Sequence, residues 1–351
     1  NQLYFKDTQF VNLMPHRIFN VLLIANPYDA FMLEDDGRID EKIFNEYTSL
    51  SLRYPPRFSQ VTTEEEALNL LSQMSFDLVI CMPGTGDNDS FDIGRHIKTL
   101  YEQIPIVILT PFSHGITKRI ADEDLSAFDY IFCWLGNTDL LVSIIKLIED
   151  KMNLEHDVAE VGVQLILLVE DGIRFYSSAL PNLYKFVLQQ SQEFSTEALN
   201  AHQRTLRMRG RSKIVLARTY EEAVSIYDKY KNNVLGVITD VRFPCGGRLD
   251  GMAGIRLCAH IRKEDPFVPL IIQSSESENA AYASRYGATF VDKNSKKIDL
   301  DLRQVVSDYF GFGDFIFRNP DTKVEIARVH NLKELQNIIF AIPNESFLYH
   351  I

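Results

Sequence analysis

Short runs of Val, Ile and Leu alternate along the chain with segments whose apolar residues return every three or four positions, and the alternation occurs twice. In the first half the runs are NVLLIA (20–25), a weaker RFSQV (57–61), DLVICM (77–82), IPIVILT (104–110) and YIFCW (130–134). In the second they are QLILLV (164–169), KIVLA (213–217), LGVIT (235–239), PLIIQS (269–274) and ATFV (288–291). Short apolar runs separated by helical segments predict strands covered on both faces, hence a parallel sheet with right-handed crossovers. Each half therefore predicts a flavodoxin-like (βα)5 doubly wound α/β domain, whose sites lie beyond the carboxyl ends of the strands.

The helix signals repeat as well. TEEEALNLL (63–71) and TYEEAVSIY (219–227) follow the second strand of each half, and both set a Thr three residues before a Glu, the spacing of a capping box. Each half closes on an amphipathic helix, through Leu141, Ile144, Ile145 and Ile148 in the first and Ile298, Leu302, Val305 and Val306 in the second, with Gly311 as a stop. Long segments, 26–56 and 170–212, separate the first two strands of each half. The second predicts a helix with Leu183, Val187 and Leu188 on one face, expected to cover its own domain or to form a homodimer contact.

The expected organisation is an extension at 1–16, a domain at 17–152, a linker at 153–162, a second domain at 163–312, and an α+β extension at 313–351. That last piece reads as a hairpin around Asn319, Pro320 and Asp321 followed by the helix NLKELQNIIFAI. A length of 351 residues is comfortable for two domains with separate cores. No apolar run approaches the roughly 20 residues of a membrane helix. A net charge of -12 argues against a nucleic-acid surface. The exception is HQRTLRMRGRSK (202–213), with Arg204, Arg207, Arg209, Arg211 and Lys213, which reads as a solvated helix end or as a site for an anion or an acidic partner surface. Four cysteines without CxxC spacing and histidines without an HExxH pattern predict neither zinc nor disulfides, and reduced, cytoplasmic surroundings fit them. The chain begins at Asn1 and ends in the apolar SFLYHI, as expected of a fragment of something longer.

Candidate chemistry collects at the strand ends of the second half: Glu170 and Asp171 after strand one, Asp240 after strand three, Ser274 after strand four, Lys293 after strand five. Three carboxylates in one pocket repel unless a cation compensates, and hard oxygen ligands suit Mg²⁺. A phosphoryl group would then dock beside Lys293, with Asp240 as its nucleophile.

LILLVED, VITDVRFP, PLIIQSS and GATFVDKN together resemble the motifs of a response-regulator receiver domain over about residues 163–312. The resemblance implies Asp240 as phosphoacceptor, Asp171 as a direct Mg²⁺ ligand, Glu170 as a ligand through water and the Arg242 carbonyl as a further ligand. It implies that Lys293 and Ser274 contact the phosphoryl oxygens, that Phe290 is the aromatic switch residue, and that a histidine kinase or phosphotransfer protein is the donor. Two departures are a longer loop after Asp240 (CGGRLDGMAG) and Glu170 in place of the more frequent aspartate.

The first half ends its strands in Ala25 and Asn26, Met82, Thr110, and Cys133 and Trp134, so it resembles a receiver without the chemistry, a pseudo-receiver. Asp87, Asp89 and Asp92 read as loop and cap residues, and PGTGD (83–87) as a glycine-rich turn, since no Lys-Ser/Thr follows it. The segment from GFGDFIFRNPD through AIPNESFLYHI is similar to a stretch of bacterial proteins of the phosphoenolpyruvate synthase and pyruvate phosphate dikinase class. That likeness implies a regulatory region of a phosphotransfer enzyme. The expectation is a signalling module, not itself an enzyme. The competing readings are an unreactive tandem scaffold for dimerisation or enzyme docking, and a small phosphatase.

Overall fold

The computed structural model describes residues 11–34, 38–83, 90–111, 120, 123–195, 208–310, 315–318 and 325–329. The first five apolar runs form β1 (Asn20–Ile24), β2 (Arg57–Val61), β3 (Leu78–Cys81), β4 (Ile106–Pro111) and β5 (Tyr130–Trp134), all parallel, in the order β2-β1-β3-β4-β5. The second set forms β6 (Leu165–Val169), β7 (Lys213–Ala217) and β8 (Val234–Asp240), then, after a hairpin of β9 (Phe243–Cys245) and β10 (Arg248–Asp250), β11 (Leu270–Ser274) and β12 (Thr289–Asp292). Its order, β12-β11-β8-β6-β7, repeats that of the first sheet. Every residue of β3, β6, β7 and β11 is buried, which is why β3 and β6 read as unbroken apolar runs and β7 and β11 as largely apolar ones.

In the first half the helices are α1 (Pro27–Glu34), α2 (Ile39–Ser49), α3 (Glu64–Gln73), α4 (Ser90–Leu100) and α5 (Asp139–Val161). In the second they are α6 (Ile173–Ser195), α7 (Tyr220–Tyr230), α8 (Ala253–Glu264), α9 (Ala280–Arg285) and α10 (Ile298–Phe310). At α3 the capping box is complete, with Thr63 accepting from the Glu66 N–H and Glu66 accepting from the Thr63 N–H. At α7 it is offset: Thr219 accepts from the Glu222 N–H, while Glu222 reaches back to the N–H of Arg218, one residue before the cap.

The expected linker at 153–162 is helical to Val161, where Gly162 ends α5 in the left-handed conformation (φ 69°). The helix that closes the first sheet thus runs on to pack against β7 of the second. Glu149, Asn153 and Asp157, four residues apart on one stripe of α5, accept from the N–H groups of Ile18, His16 and Met14 at 3.1, 2.9 and 2.9 Å. Two residues of extended chain advance about 6.6 Å and four residues of helix about 6 Å, so the two ladders stay in step.

The basic run is corrected here, because Arg211 and Lys213 are not a solvated helix end. Asp150 of α5, with no exposed surface, accepts from Arg211 at 2.6 and 2.9 Å, from the Tyr184 hydroxyl at 2.9 Å and from the Ile214 N–H at 2.9 Å. Lys213, also without exposed surface, lies 2.7 Å from Asp157. Arg204 and Arg207 lie outside the described residues.

Leu183, Val187 and Leu188 are buried in a core shared by both halves, so this face of α6 is filled within the chain and offers no homodimer surface. At its start α6 covers the edge strand β5: Ser177 Oγ accepts from the Cys133 N–H at 2.9 Å, and the Tyr176 hydroxyl donates to the Ile131 carbonyl. The expected C-terminal hairpin is present as antiparallel β13 (Phe315–Arg318) and β14 (Glu325–Val329). Its turn and the following helix lie outside the described residues. Among the described residues no helix is long and apolar enough to cross a membrane.

Candidate functional site

Parallel register sets the site. Val169 pairs with Thr239, Asp240 with Gln273, and Ser274 with Asp292, so β6, β8, β11 and β12 end level at one edge of the second sheet. The residues at or just past those ends are Glu170, Asp240, Ser274 and Lys293, and the structure brings all four together with Asp171. Lys293 Nζ stands 2.5 Å from Glu170 Oε2 and 2.9 Å from Asp240 Oδ2. One carboxylate oxygen from each of Glu170, Asp171 and Asp240 lies within 4.8 Å of the others, the one such acidic group among the described residues. Beside them opens a cavity of about 370 Å³, lined by Asp240, Arg242, Ser274, Asn279 and Lys293.

Local structure holds each group in place. The backbone N–H of Gly172 donates to Glu170 Oε1 at 3.0 Å, and that of Val241 to Asp240 Oδ1 at 2.7 Å. Ser274 Oγ accepts from the Glu276 N–H and from Asn279 Nδ2 at 3.1 and 2.9 Å. Gly254, at the start of α8, packs so closely that a Cβ there would overlap the carbonyl of Asp240. Gly254→Ala is accordingly expected to cost about 1–3 kcal/mol of stability by overpacking against backbone. A shifted urea midpoint at unchanged slope is the result to look for.

The long loop after Asp240 is the β9–β10 hairpin, closed by Gly246 and Gly247, both left-handed (φ 62° and 73°), as a two-residue turn that matches strand twist requires. Its Leu249 joins the cavity wall. Phe175 escaped sequence reasoning, although its ring centroid is 4.3 Å from Lys293 Nζ. It sits in the first turn of α6, and no spacing rule tied that position to a lysine more than a hundred residues later.

Burial pushes Glu170 up to about 7, against the pull of Lys293 and with the charge of Asp240 adding to the rise. Asp171 is raised as well, chiefly by burial. A carboxyl group raised above its ordinary 4.5 holds a proton more readily folded than unfolded. Its contribution therefore favours the fold at low pH, declines as pH rises from about 4.5 to about 7, and is constant above that. In metal-free buffer the melting-temperature advantage of Glu170→Gln over the parent is expected to widen across that window. A gap independent of pH would overturn the assignment. The donor set is oxygen only, with one ammonium shared by two of three carboxylates, so Glu170, Asp171 and Asp240 fit a hard divalent cation such as Mg²⁺.

No family model matches the sequence, and no curated protein matches it. Among solved structures the chain is similar to a response regulator receiver domain protein from Clostridium thermocellum, at 21% identity over 42% of this chain and 94% of that one, with a TM-score of 0.29. It is similar to the response regulator TrrA of Thermotoga maritima in complex with Mg²⁺ and a beryllium fluoride, at 19% identity over 37% and 99% of the chains, TM-score 0.28. A complex of the histidine kinase ThkA with TrrA matches at 19% identity over 37% and 98%, TM-score 0.28.

The corresponding edge of the first sheet is filled. Ala25 and Met82 are each 2% exposed and belong to one core with Leu33, and the Ser90 hydroxyl donates to the Met82 carbonyl. Asn26 and Asp29 bond each other at the start of α1. Cys133, at the place of the lysine, lies under α6. Asp92 pairs with Arg95 on α4, while Asp87 and Asp89 lie outside the described residues.

Proposed function

We propose that the second sheet and its helices form a receiver module of a two-component response regulator, in which Asp240 takes a phosphoryl group. The observation that carries this reading is Lys293 bridging Glu170 and Asp240 beside Asp171 and Ser274, at the carboxyl edge of a doubly wound sheet. Asp240 would attack phosphorus through a carboxylate oxygen, forming an acyl phosphate as the bond to the leaving group breaks with its electron pair. Mg²⁺, held by Glu170, Asp171, Asp240 and the Arg242 carbonyl, would neutralise charge gathered on the carboxylates and phosphoryl oxygens. Lys293, already within reach of Asp240, would pair with a phosphoryl oxygen. Ser274 would turn its hydroxyl proton to another.

That rearrangement would supply a conformational output. Ser274 is tied to Glu276 and Asn279 just before α9, so its movement pulls on that helix, with half-buried Phe290 on the neighbouring strand β12. A histidine kinase or phosphotransfer protein is the proposed donor, since a side-chain phosphoramidate presents the phosphoryl group such an acceptor needs. The first half acts as a pseudo-receiver scaffold, its corner packed with Met82 and Ala25. The proposed output is regulation of a partner or a fused phosphotransfer enzyme of the phosphoenolpyruvate synthase class, with no turnover by this module itself. Incubation with acetyl phosphate and Mg²⁺ tests the reading: the intact mass should rise by one phosphoryl group. A folded chain that gains none leaves the unreactive scaffold.

A further inference from the structure

Part of the basic run lines a second cavity, which shares no lining residue with the cavity at the acidic site. Arg209, before β7, and Arg17, in the extended segment held by α5, are both half-buried in the wall of a cavity of about 500 Å³. His156 of α5 joins them, with Pro15 and Phe19 as apolar surface. The period of two explains the set, for the ladder that fixes residues 14, 16 and 18 against α5 leaves Pro15, Arg17 and Phe19 on one face.

Two guanidinium groups on one wall repel, and burial together with the charge of Arg17 holds Arg209 below its ordinary value. Among the described residues no carboxylate pairs with either arginine. Arg209 donates from Nη1 to the Val11 carbonyl at 2.7 Å, while its Nε is buried without a hydrogen-bond partner. Asp157, which His156 meets at 3.1 Å, is fully buried and engaged by Lys213 and the Met14 N–H. In a chain of net charge -12 this is a concentrated cationic site, without a paired carboxylate at either arginine among the described residues.

We propose that this cavity binds a phosphate-bearing small molecule, with Arg17 and Arg209 holding the phosphate and Phe19 flanking its organic part. Guanidinium forks match phosphate oxygens in pairs, and the volume lies within the range of small-molecule sites. Backbone bonds to α5 hold the segment that carries Arg17 in advance of binding, which lowers the ordering cost.

Calorimetric titration of the full chain in Mg²⁺-free buffer, with pyrophosphate as probe and sulfate as control, tests the proposal. The parent should bind pyrophosphate saturably and more tightly than sulfate. Arg17→Ala with Arg209→Ala should weaken binding by roughly tenfold or more, the scale of one charge-assisted contact. Arg38→Ala with Arg285→Ala, the same loss of charge on exposed surface, should leave it unchanged. If the alanine pair melts early, Arg17→Lys with Arg209→Lys keeps the charge without the fork and should still bind more weakly than the parent. Absence of saturable binding, equal affinity for sulfate, or the same weakening in both alanine pairs overturns the assignment.

Discussion

Asp240→Asn is expected to remain folded and to take up no phosphoryl group from acetyl phosphate and Mg²⁺, under conditions in which the parent gains one. Asparagine preserves the shape of the side chain, and its amide oxygen can still accept the Val241 N–H that now meets Asp240 at 2.7 Å. What disappears is the anionic oxygen that would form the new bond to phosphorus, and an amide is a poor substitute as a nucleophile. The change also removes one of the three carboxylates that would hold a cation there. Intact mass and a circular dichroism spectrum suffice to check it. Uptake by the variant equal to that of the parent would place the acceptor at another residue and end the case for Asp240.

Asp150→Ala is expected to give the largest loss of stability of any single change considered, about 3–5 kcal/mol, because it leaves buried charge without its partner. Asp150 has no exposed surface and accepts from Arg211, Tyr184 and the backbone of Ile214, with Lys213 at 3.8 Å. Burial already drives Lys213 below its ordinary value, against the pull of Asp150. Without this carboxylate, Arg211 retains a charge in an apolar setting and the Ile214 N–H loses its acceptor. Asp150 belongs to the helix closing the first sheet and its partners to the second half, so the loss should also loosen one half from the other. Urea unfolding gives the magnitude, and amide exchange along β7 the location. A destabilisation below about 1 kcal/mol would mean that water or another acceptor replaces the carboxylate.

Much of this protein was legible from its sequence alone. Apolar runs marked the strands of the two large sheets, most clearly where a strand is covered on both faces and least at β2, RFSQV, where only Val61 is buried. The turn signals around Asn319 marked the C-terminal hairpin. Topology then made the candidate site readable. In a doubly wound sheet the ends of strands one, three, four and five meet at one edge, so Glu170, Asp240, Ser274 and Lys293 needed only their positions at strand ends to be grouped. The same reasoning found the first half's Met82 where a carboxylate would be needed.

Tertiary structure decided which faces meet. Residues 153–161 carry helix-compatible residues, but only the packing of α5 across both halves shows them to be a shared helix and not a linker. Arg211 and Lys213 have the composition of a solvated surface and are buried because Asp150 and Asp157 face them across the chain. Leu183, Val187 and Leu188 required an apolar partner, and the shared core supplied it in place of a second copy. Phe175 and Arg17 gained their surroundings in the same way. Helix and strand periods are set by neighbours within a turn or two, whereas the partner that neutralises a charge or covers an apolar face comes from anywhere along the chain and is fixed only when the chain closes on itself.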